Sequence, residues 1–192
     1  MKAYDLLVQA ESGLATVTGT PDSPGRVGVS VCDIAAGMYA HQAILQALFA
    51  RERTGHNRGI LVSLYDSMAD WMNVPYLQHH YGGQTPARPG LNHPTIAPYG
   101  AYECGDGKAV LISIQNEREW QSLCKNVLGD ARIAEDARFA TNPDRAANRP
   151  ALDAIIHDAF GLAPREAIIE KLQAAKVAWG RTMDFLTETL SA

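Results

Sequence analysis

The 192-residue chain lacks the features of several protein classes. It has three cysteines and no Cys-x-x-Cys pair, so we predict neither a disulfide framework nor a zinc site. A net charge of −4 and the lack of any basic run disfavour nucleic acid and anionic membranes as partners. No uninterrupted apolar run could span a bilayer and the N-terminus does not resemble a signal peptide, so we expect a cytoplasmic protein.

Several functional motifs are also missing. The chain has no G-x-G-x-x-G, no G-x-x-x-x-G-K-[ST] and no G-x-S-x-G, which disfavours a dinucleotide site, a phosphate-binding loop and a serine hydrolase. His79, His80 and His93 have no carboxylate or thiolate at ligand spacing, so we predict no metal centre.

The segment from Val27 to Ala50 carries one formal charge, Asp33. After it, apolar residues recur at three- and four-residue steps, and Gly55 stands where a helix C-cap is expected, so the pattern predicts a long helix with Asp33 at its N-cap. The residues of this periodic face are Met38, His41, Leu45, Leu48 and Phe49. Asp33 either caps the helix only or also faces a cleft and acts as a nucleophile or base. Cys32 is a weaker candidate nucleophile, since no base is specified beside it.

The remaining pattern predicts two domains. Residues 1–81 contain a short helix at 4–10, a loop at 18–28, a buried strand at 59–63 and a helix at 66–81 that Pro75 kinks or splits. Residues 82–100 hold many glycines and prolines and are interpreted as a linker. In residues 101–192 a Gly-Asp-Gly turn predicts a hairpin and three amphipathic helices follow, which indicates a small α+β domain.

Four segments of the chain resemble class III CoA-transferases, the group of formyl-CoA transferase and the carnitine CoA-transferases. They are YDLLVQAESGL, TGTPDSPGRVGVSVCDIAAGMYAHQAILQALFARERTG, LVSLYDSM and HPTIAPYGAYECGDGKAVLISIQNEREWQSLC. The resemblance implies an α/β fold, with part of the large domain of that family followed by its small α+β domain. Because family members are about twice as long, it also implies a chain truncated at both ends.

The resemblance implies that Asp33 is the nucleophile that carries CoA as an aspartyl thioester. It places Tyr4 and Asp5 in the active site, Leu64 in contact with CoA, and His93 in a loop that replaces a glycine-rich one. His93 then either contacts substrate or oxyanion or serves the loop alone. This loop resembles that of the subgroup acting on small dicarboxylates.

Coenzyme A and its thioesters are thereby implied as substrates, with no permanently bound cofactor. A homodimer, or a complementary chain supplying the missing halves, is implied as partner, and the chain alone is expected to bind CoA weakly or not at all. Two alternatives stay open: an α-methylacyl-CoA racemase, disfavoured because Tyr4 stands where those enzymes carry a histidine, and an inactive fragment serving as an assembly module. The latter would expose apolar surface where the absent halves pack.

Overall fold

The computed structural model describes residues 3–181, which divide between Gly90 and Leu91 into two compact units. The helices of the first unit are α1 (Asp5–Glu11), α2 (Leu14–Val17), α3 (Val31–Thr54), α4 (Leu64–Trp71) and α5 (Asn73–His80). Its two short strands, β1 (Gly19–Thr20) and β2 (Ser23–Pro24), pair antiparallel. This unit is therefore mostly helical.

The long helix α3 ends as the sequence predicts but begins differently. Gly55 is its C-cap, in the left-handed conformation at φ 70°, and its N–H bonds to the carbonyl of Arg51 at 2.8 Å. The N-cap is Ser30, whose side chain makes no capping bond, and Asp33 is the third residue of the helix. The prediction that Asp33 is the N-cap is wrong, because the chain turns into the helix earlier, at Val31.

The first unit has a small core. Its buried apolar residues are Val8, Val31, Cys32, Ala35 and Met68. Along the whole of α3 only Val31, Cys32 and Ala35 are buried. The periodic face of α3 is exposed, with Phe49 at 64% and Met38 at 62%. Most of α3 is thus not buried by the part of the chain that the structure describes.

Two other predictions for this unit have opposite outcomes. The predicted helix at 66–81 is split at Met72 into α4 and α5, with Pro75 in the first turn of α5, as expected. The strand predicted at 59–63 does not form, and Leu61 is 97% exposed. A strand needs a hydrogen-bonded neighbour, and the described part of this unit offers residues 59–63 none.

The second unit packs helices on a three-stranded antiparallel sheet ordered β3 (Tyr99–Glu103), β4 (Ala109–Ser113), β5 (Ala178–Arg181). The predicted hairpin is β3–β4, in which Tyr102 pairs with Val110. The helices are α6 (Glu117–Ser122), which continues as a π-helix at Leu123–Val127, a 3₁₀ turn at Ala131–Glu135, α7 (Asn142–Ala147), α8 (Arg149–Phe160) and α9 (Arg165–Ala174). The predicted hairpin and three helices are confirmed, whereas α7 and β5 lacked a recognised signal.

A buried arginine connects several segments of this unit by hydrogen bonds. Arg145 is 1% exposed, and its guanidinium bonds both oxygens of Glu117 at 2.9 Å. It also donates to the carbonyls of Ala97 at 2.8 Å and Phe139 at 3.1 Å. These bonds join α7 to α6 and to the segment that leads into β3.

The predicted α/β fold class is confirmed. The boundary at Gly90 lies within 82–100, while β3 already begins at Tyr99; the interpretation of 82–100 as a linker stays a prediction. The predicted small domain runs to residue 192, of which 182–192 lie outside the described residues. Between residues 3 and 181, no helix is both long and apolar enough to cross a membrane.

Candidate functional site

Asp33 projects from the first turn of α3. It is exposed, and within residues 3–181 its carboxylate accepts no hydrogen bond and forms no ion pair. A carboxylate in the first turn is favoured electrostatically by the helix dipole. Its lone pairs are therefore free for an incoming electrophile.

The backbone amides at the start of α3 are capped from another helix. Asp5, the first residue of α1, accepts the N–H of Cys32 through Oδ1 at 2.8 Å. Its second oxygen, Oδ2, accepts the side-chain amide of Gln9 at 2.7 Å. Asp5 thus performs the capping that the sequence pattern assigned to Asp33.

The surroundings of Asp5 favour its ionised form. Burial opposes ionisation, but the N–H of Cys32, the amide of Gln9, the thiol of Cys32 and the N–H of Asp33 together hold the pKa of Asp5 below its ordinary value. Two carboxylates therefore stand near one helix end, and only that of Asp5 is engaged by hydrogen bonds.

Cys32 is not arranged as a nucleophile. Its side chain is fully buried, and burial, together with the neighbouring Asp5 carboxylate, raises the pKa of the Cys32 thiol to about 11. The thiol is protonated near neutral pH. Of the two neighbouring candidates, the geometry favours Asp33.

Tyr4 and Leu64 also lie in the first unit. Tyr4 precedes α1 and is 64% exposed, next to the capping residue Asp5. Leu64 begins α4 and packs against the cluster that contains Val31 and Cys32. The structure thus brings Asp5, Leu64 and Asp33 to the start of α3, with Tyr4 adjoining Asp5.

The cavities of the first unit lie elsewhere. The region between α2, α4 and α5 forms a groove of about 530 Å³ lined by Tyr65, Met72 and Tyr76 among others. A smaller cavity of about 260 Å³ is lined by Tyr39, Ser63 and other residues. A third cavity, of about 550 Å³, is lined by Ala43, Ile60 and other residues. Asp33 lines none of the three. Its carboxylate faces solvent, so these walls do not enclose a substrate around it.

His93 lies in the second unit, before β3. Its Nδ1 accepts the N–H groups of Thr95 at 3.2 Å and Ile96 at 3.1 Å, and its ring stacks on Tyr99 at 5.2 Å between centroids. Since Nδ1 accepts, the neutral ring carries its proton on Nε2. His93 is thereby fixed as a donor in a turn that it stabilises itself.

Arg149 on α8 holds the same turn, and sequence reasoning missed it. Its Nη2 donates to the carbonyls of His93 at 2.8 Å and Ile96 at 2.7 Å. Gln9 was also missed, although the four-residue step from Asp5 along a helix was a usable signal. Nowhere in the described chain do three potential metal ligands come together.

Comparison with known sequences shows one family. The family described as CoA-transferase family III matches residues 1–190. The chain is 36% identical over 184 residues to an acetyl-CoA:oxalate CoA-transferase of Acetobacter aceti, covering 95% of this chain and 47% of that protein. It is 36% identical over 154 residues to a succinate–glutarate CoA-transferase of Agrobacterium fabrum, covering 80% of this chain and 38% of that protein. The chain thus spans about half the length of these curated relatives or less.

Solved structures show the same half-length match. A CaiB/BaiF family protein of Brucella suis superposes with a TM-score of 0.77 at 32% identity, covering 98% of this chain and 50% of that one. A hypothetical protein of Mycobacterium tuberculosis gives a TM-score of 0.83 at 25% identity, covering 100% and 50%.

Proposed function

The chain belongs to CoA-transferase family III, and from this premise we propose that it takes part in moving CoA from an acyl-CoA to a carboxylic acid, with Asp33 as the covalent carrier. The observation that carries the proposal is the exposed Asp33 carboxylate, free of hydrogen bonds in the first turn of α3 while Asp5 occupies the amides there. A free carboxylate is the form in which this weak nucleophile attacks a thioester most readily.

The proposed reaction runs through four exchanges at Asp33. A carboxylate oxygen of Asp33 attacks the acyl-CoA carbonyl and CoA leaves as thiolate, which gives a mixed anhydride. The thiolate then attacks the Asp33 carbonyl and releases the first acid, leaving Asp33 as a CoA thioester. A second carboxylate repeats these two steps in reverse and departs as the new acyl-CoA. Every step exchanges one acyl bond for another, so no oxidant, metal or external proton is consumed.

Small dicarboxylic acids are the proposed substrates. The two relatives above are named for oxalate, succinate and glutarate, and a relative in Haloarcula marismortui, 31% identical over 172 residues, is named for succinyl-CoA and mesaconate. All three are CoA-transferases, which favours transfer over the racemase alternative. In this proposal Tyr4 and Leu64 border the thioester and CoA, and a role for His93 in binding substrate stays a prediction.

A further polypeptide is proposed to complete the site, either a second copy or a chain corresponding to the unmatched half of the relatives. The chain covers only about half of those proteins, and α3 exposes an apolar surface along most of its length. A helix normally packs its apolar face against a partner surface. On this view the chain alone binds CoA weakly, and titration calorimetry giving micromolar affinity for the isolated chain would contradict it.

Trapping of the acyl intermediate tests the role of Asp33. The protein, alone and with a complementing half of a relative, is incubated with succinyl-CoA and then hydroxylamine, and its peptides are analysed by mass spectrometry. We expect a hydroxamate on Asp33 and none in Asp33→Asn. Modification of Cys32 instead, or equal labelling of Asp66, an exposed first-turn aspartate of α4, would reject Asp33 as the carrier.

A further inference from the structure

Gln9 is a polar side chain sealed inside the first unit. It has no exposed surface, and both ends of its amide are bonded. Nε2 donates to Oδ2 of Asp5 at 2.7 Å, and Oε1 accepts the N–H of Val27 at 2.9 Å. Because Val27 supplies a donor, the amide oxygen must face it, and the NH₂ group must face Asp5.

These bonds form a continuous relay from the loop before α3 to the helix itself. The relay starts at the N–H of Val27, passes through Gln9 to Asp5, and ends at the N–H of Cys32. It spans 27 residues of sequence between Asp5 and Cys32 and fixes the loop and the first turn of α3 against α1. Asp33 follows Cys32 directly, so the relay sets the backbone that carries the Asp33 carboxylate.

We propose that Gln9 is a positioning residue for CoA transfer, acting through Asp5 on Asp33; this rests on the function proposed above. Gln9 directs the Asp5 carboxylate onto the amides of α3. With the N–H of Cys32 held by Asp5, the first turn of α3 is fixed, and so is the backbone that directs the Asp33 carboxylate, which accepts no hydrogen bond within residues 3–181. Its oxygens stay available to the thioester carbonyl.

The relay requires an acceptor facing Val27 and a donor facing Asp5 on the same side chain, whereas packing alone requires only its volume. An apolar side chain of similar size could fill the volume of Gln9 but would leave Asp5 and the Val27 N–H without their partners. A carboxyl group at the same position could accept from Val27, but it could donate to Asp5 only while protonated. The ionisable groups beside this position are Asp5 itself and the Cys32 thiol.

The experiment compares Gln9→Leu and Gln9→Glu with Gln42→Glu, a control at an exposed position of α3. The rate at which succinyl-CoA acylates Asp33, with the complementing half of a relative present, is measured by hydroxylamine trapping between pH 5 and 8. We expect Gln9→Leu to lower the maximal rate about tenfold or more at every pH, with the half-saturating succinyl-CoA concentration unchanged. Gln9→Glu should be as slow at pH 8 and regain rate as the pH falls and the new carboxyl takes up a proton. The control should follow the wild type.

Two outcomes would overturn the inference. One is an acylation rate of Gln9→Glu that depends on pH in the same way as that of the wild type. The other is a Gln9→Leu variant in which only the half-saturating succinyl-CoA concentration changes. If the wild type itself is not acylated, the proposed function fails separately, and the relay is then judged by nuclear magnetic resonance. The Cys32 amide proton should titrate with Asp5, at a higher midpoint in Gln9→Leu than in the wild type and the Gln42→Glu control. An unchanged midpoint would refute the relay even then.

Discussion

At the scale of single residues, Asp5 and Asp33 differ in what each carboxylate contacts. Asp5 accepts hydrogen bonds from Cys32 and Gln9, while the side chain of Asp33 accepts none within residues 3–181. The sequence indicated a carboxylate near the start of α3 but assigned the cap to the nearest one. Capping from a helix 27 residues away leaves no local pattern, so only the fold could reveal it.

Removing the charge of Asp5 should change how stability depends on pH. The pKa of Asp5 is lowered in the folded state, so the folded protein binds fewer protons here than the unfolded chain. The ionised group therefore stabilises the fold above the ordinary carboxyl pKa, and this contribution is lost as the pH falls through the lowered value. We expect urea unfolding at pH 7 to show Asp5→Asn less stable than wild type by about 1 kcal/mol.

The difference between Asp5→Asn and wild type should narrow steadily as the pH falls below about 4. A difference that stays constant from pH 7 to pH 3 would show that Asp5 does not act through its charge. Asp22→Asn, in the exposed β1–β2 turn, serves as the control and should leave stability unchanged at both ends of this range.

Arg145→Leu should destabilise the second unit. The carbonyls of Ala97 and Phe139 would lose their donor and Glu117 its partner, which should cost about 3 kcal/mol in urea unfolding. Arg138→Leu is the matched control, because Arg138 pairs with a carboxylate at the surface and should cost less than about 1 kcal/mol. Equal losses in the two variants would refute the anchoring role of Arg145.

At the scale of elements, local signals predicted the helices and the β3–β4 hairpin but failed for the strand expected at 59–63. The end of α3 was predictable because Gly55 adopts the left-handed conformation that a C-cap favours. The split between α4 and α5 followed from Pro75. The strand predicted at 59–63 depends on neighbours that the described chain does not supply, and α7 is a six-residue helix with few apolar positions to reveal it. Short-range chemistry was thus readable, whereas pairing at long range was not.

Gly100 in β3 leaves room for the side chain of Asn92, the residue before His93. A Cβ at Gly100 would lie 1.9 Å from Oδ1 of Asn92 and 3.0 Å from its Cγ, so alanine would push Asn92 aside. We expect Gly100→Ala to shift the backbone amide resonances of Thr95 and Ile96, the two donors to His93, and to lower the thermal midpoint. Gly107→Ala, in the β3–β4 turn, should lower the midpoint without moving those resonances. Unmoved resonances in Gly100→Ala would contradict this account.

At the scale of the whole molecule, the apolar surface of α3 is the largest departure from an ordinary folded chain. The periodicity predicted the helix that carries this face, and within residues 3–181 the face is exposed. The exposed apolar side chains of α3 are Ile34, Met38, Ile44, Leu45, Leu48 and Phe49. An exposed apolar face of this kind is typical of interaction surfaces.

The isolated chain should therefore self-associate through α3. We expect sedimentation velocity at micromolar concentration to show oligomers, and Leu45→Glu with Phe49→Glu to shift the population toward the monomer. Gln46→Glu introduces a similar charge at an exposed polar position of the same helix and should leave the distribution largely unchanged. A monomeric wild type, or equal effects of all three substitutions, would show that α3 is not the association surface.

The cap that α1 supplies to α3 also links chemical competence to the order of folding. While α1 is undocked, the N–H of Cys32 lacks its acceptor on Asp5, and the backbone that carries Asp33 is not held in place. Under the proposed mechanism, an immature chain would not present its reactive group and would become open to acylation only when its two helices had met.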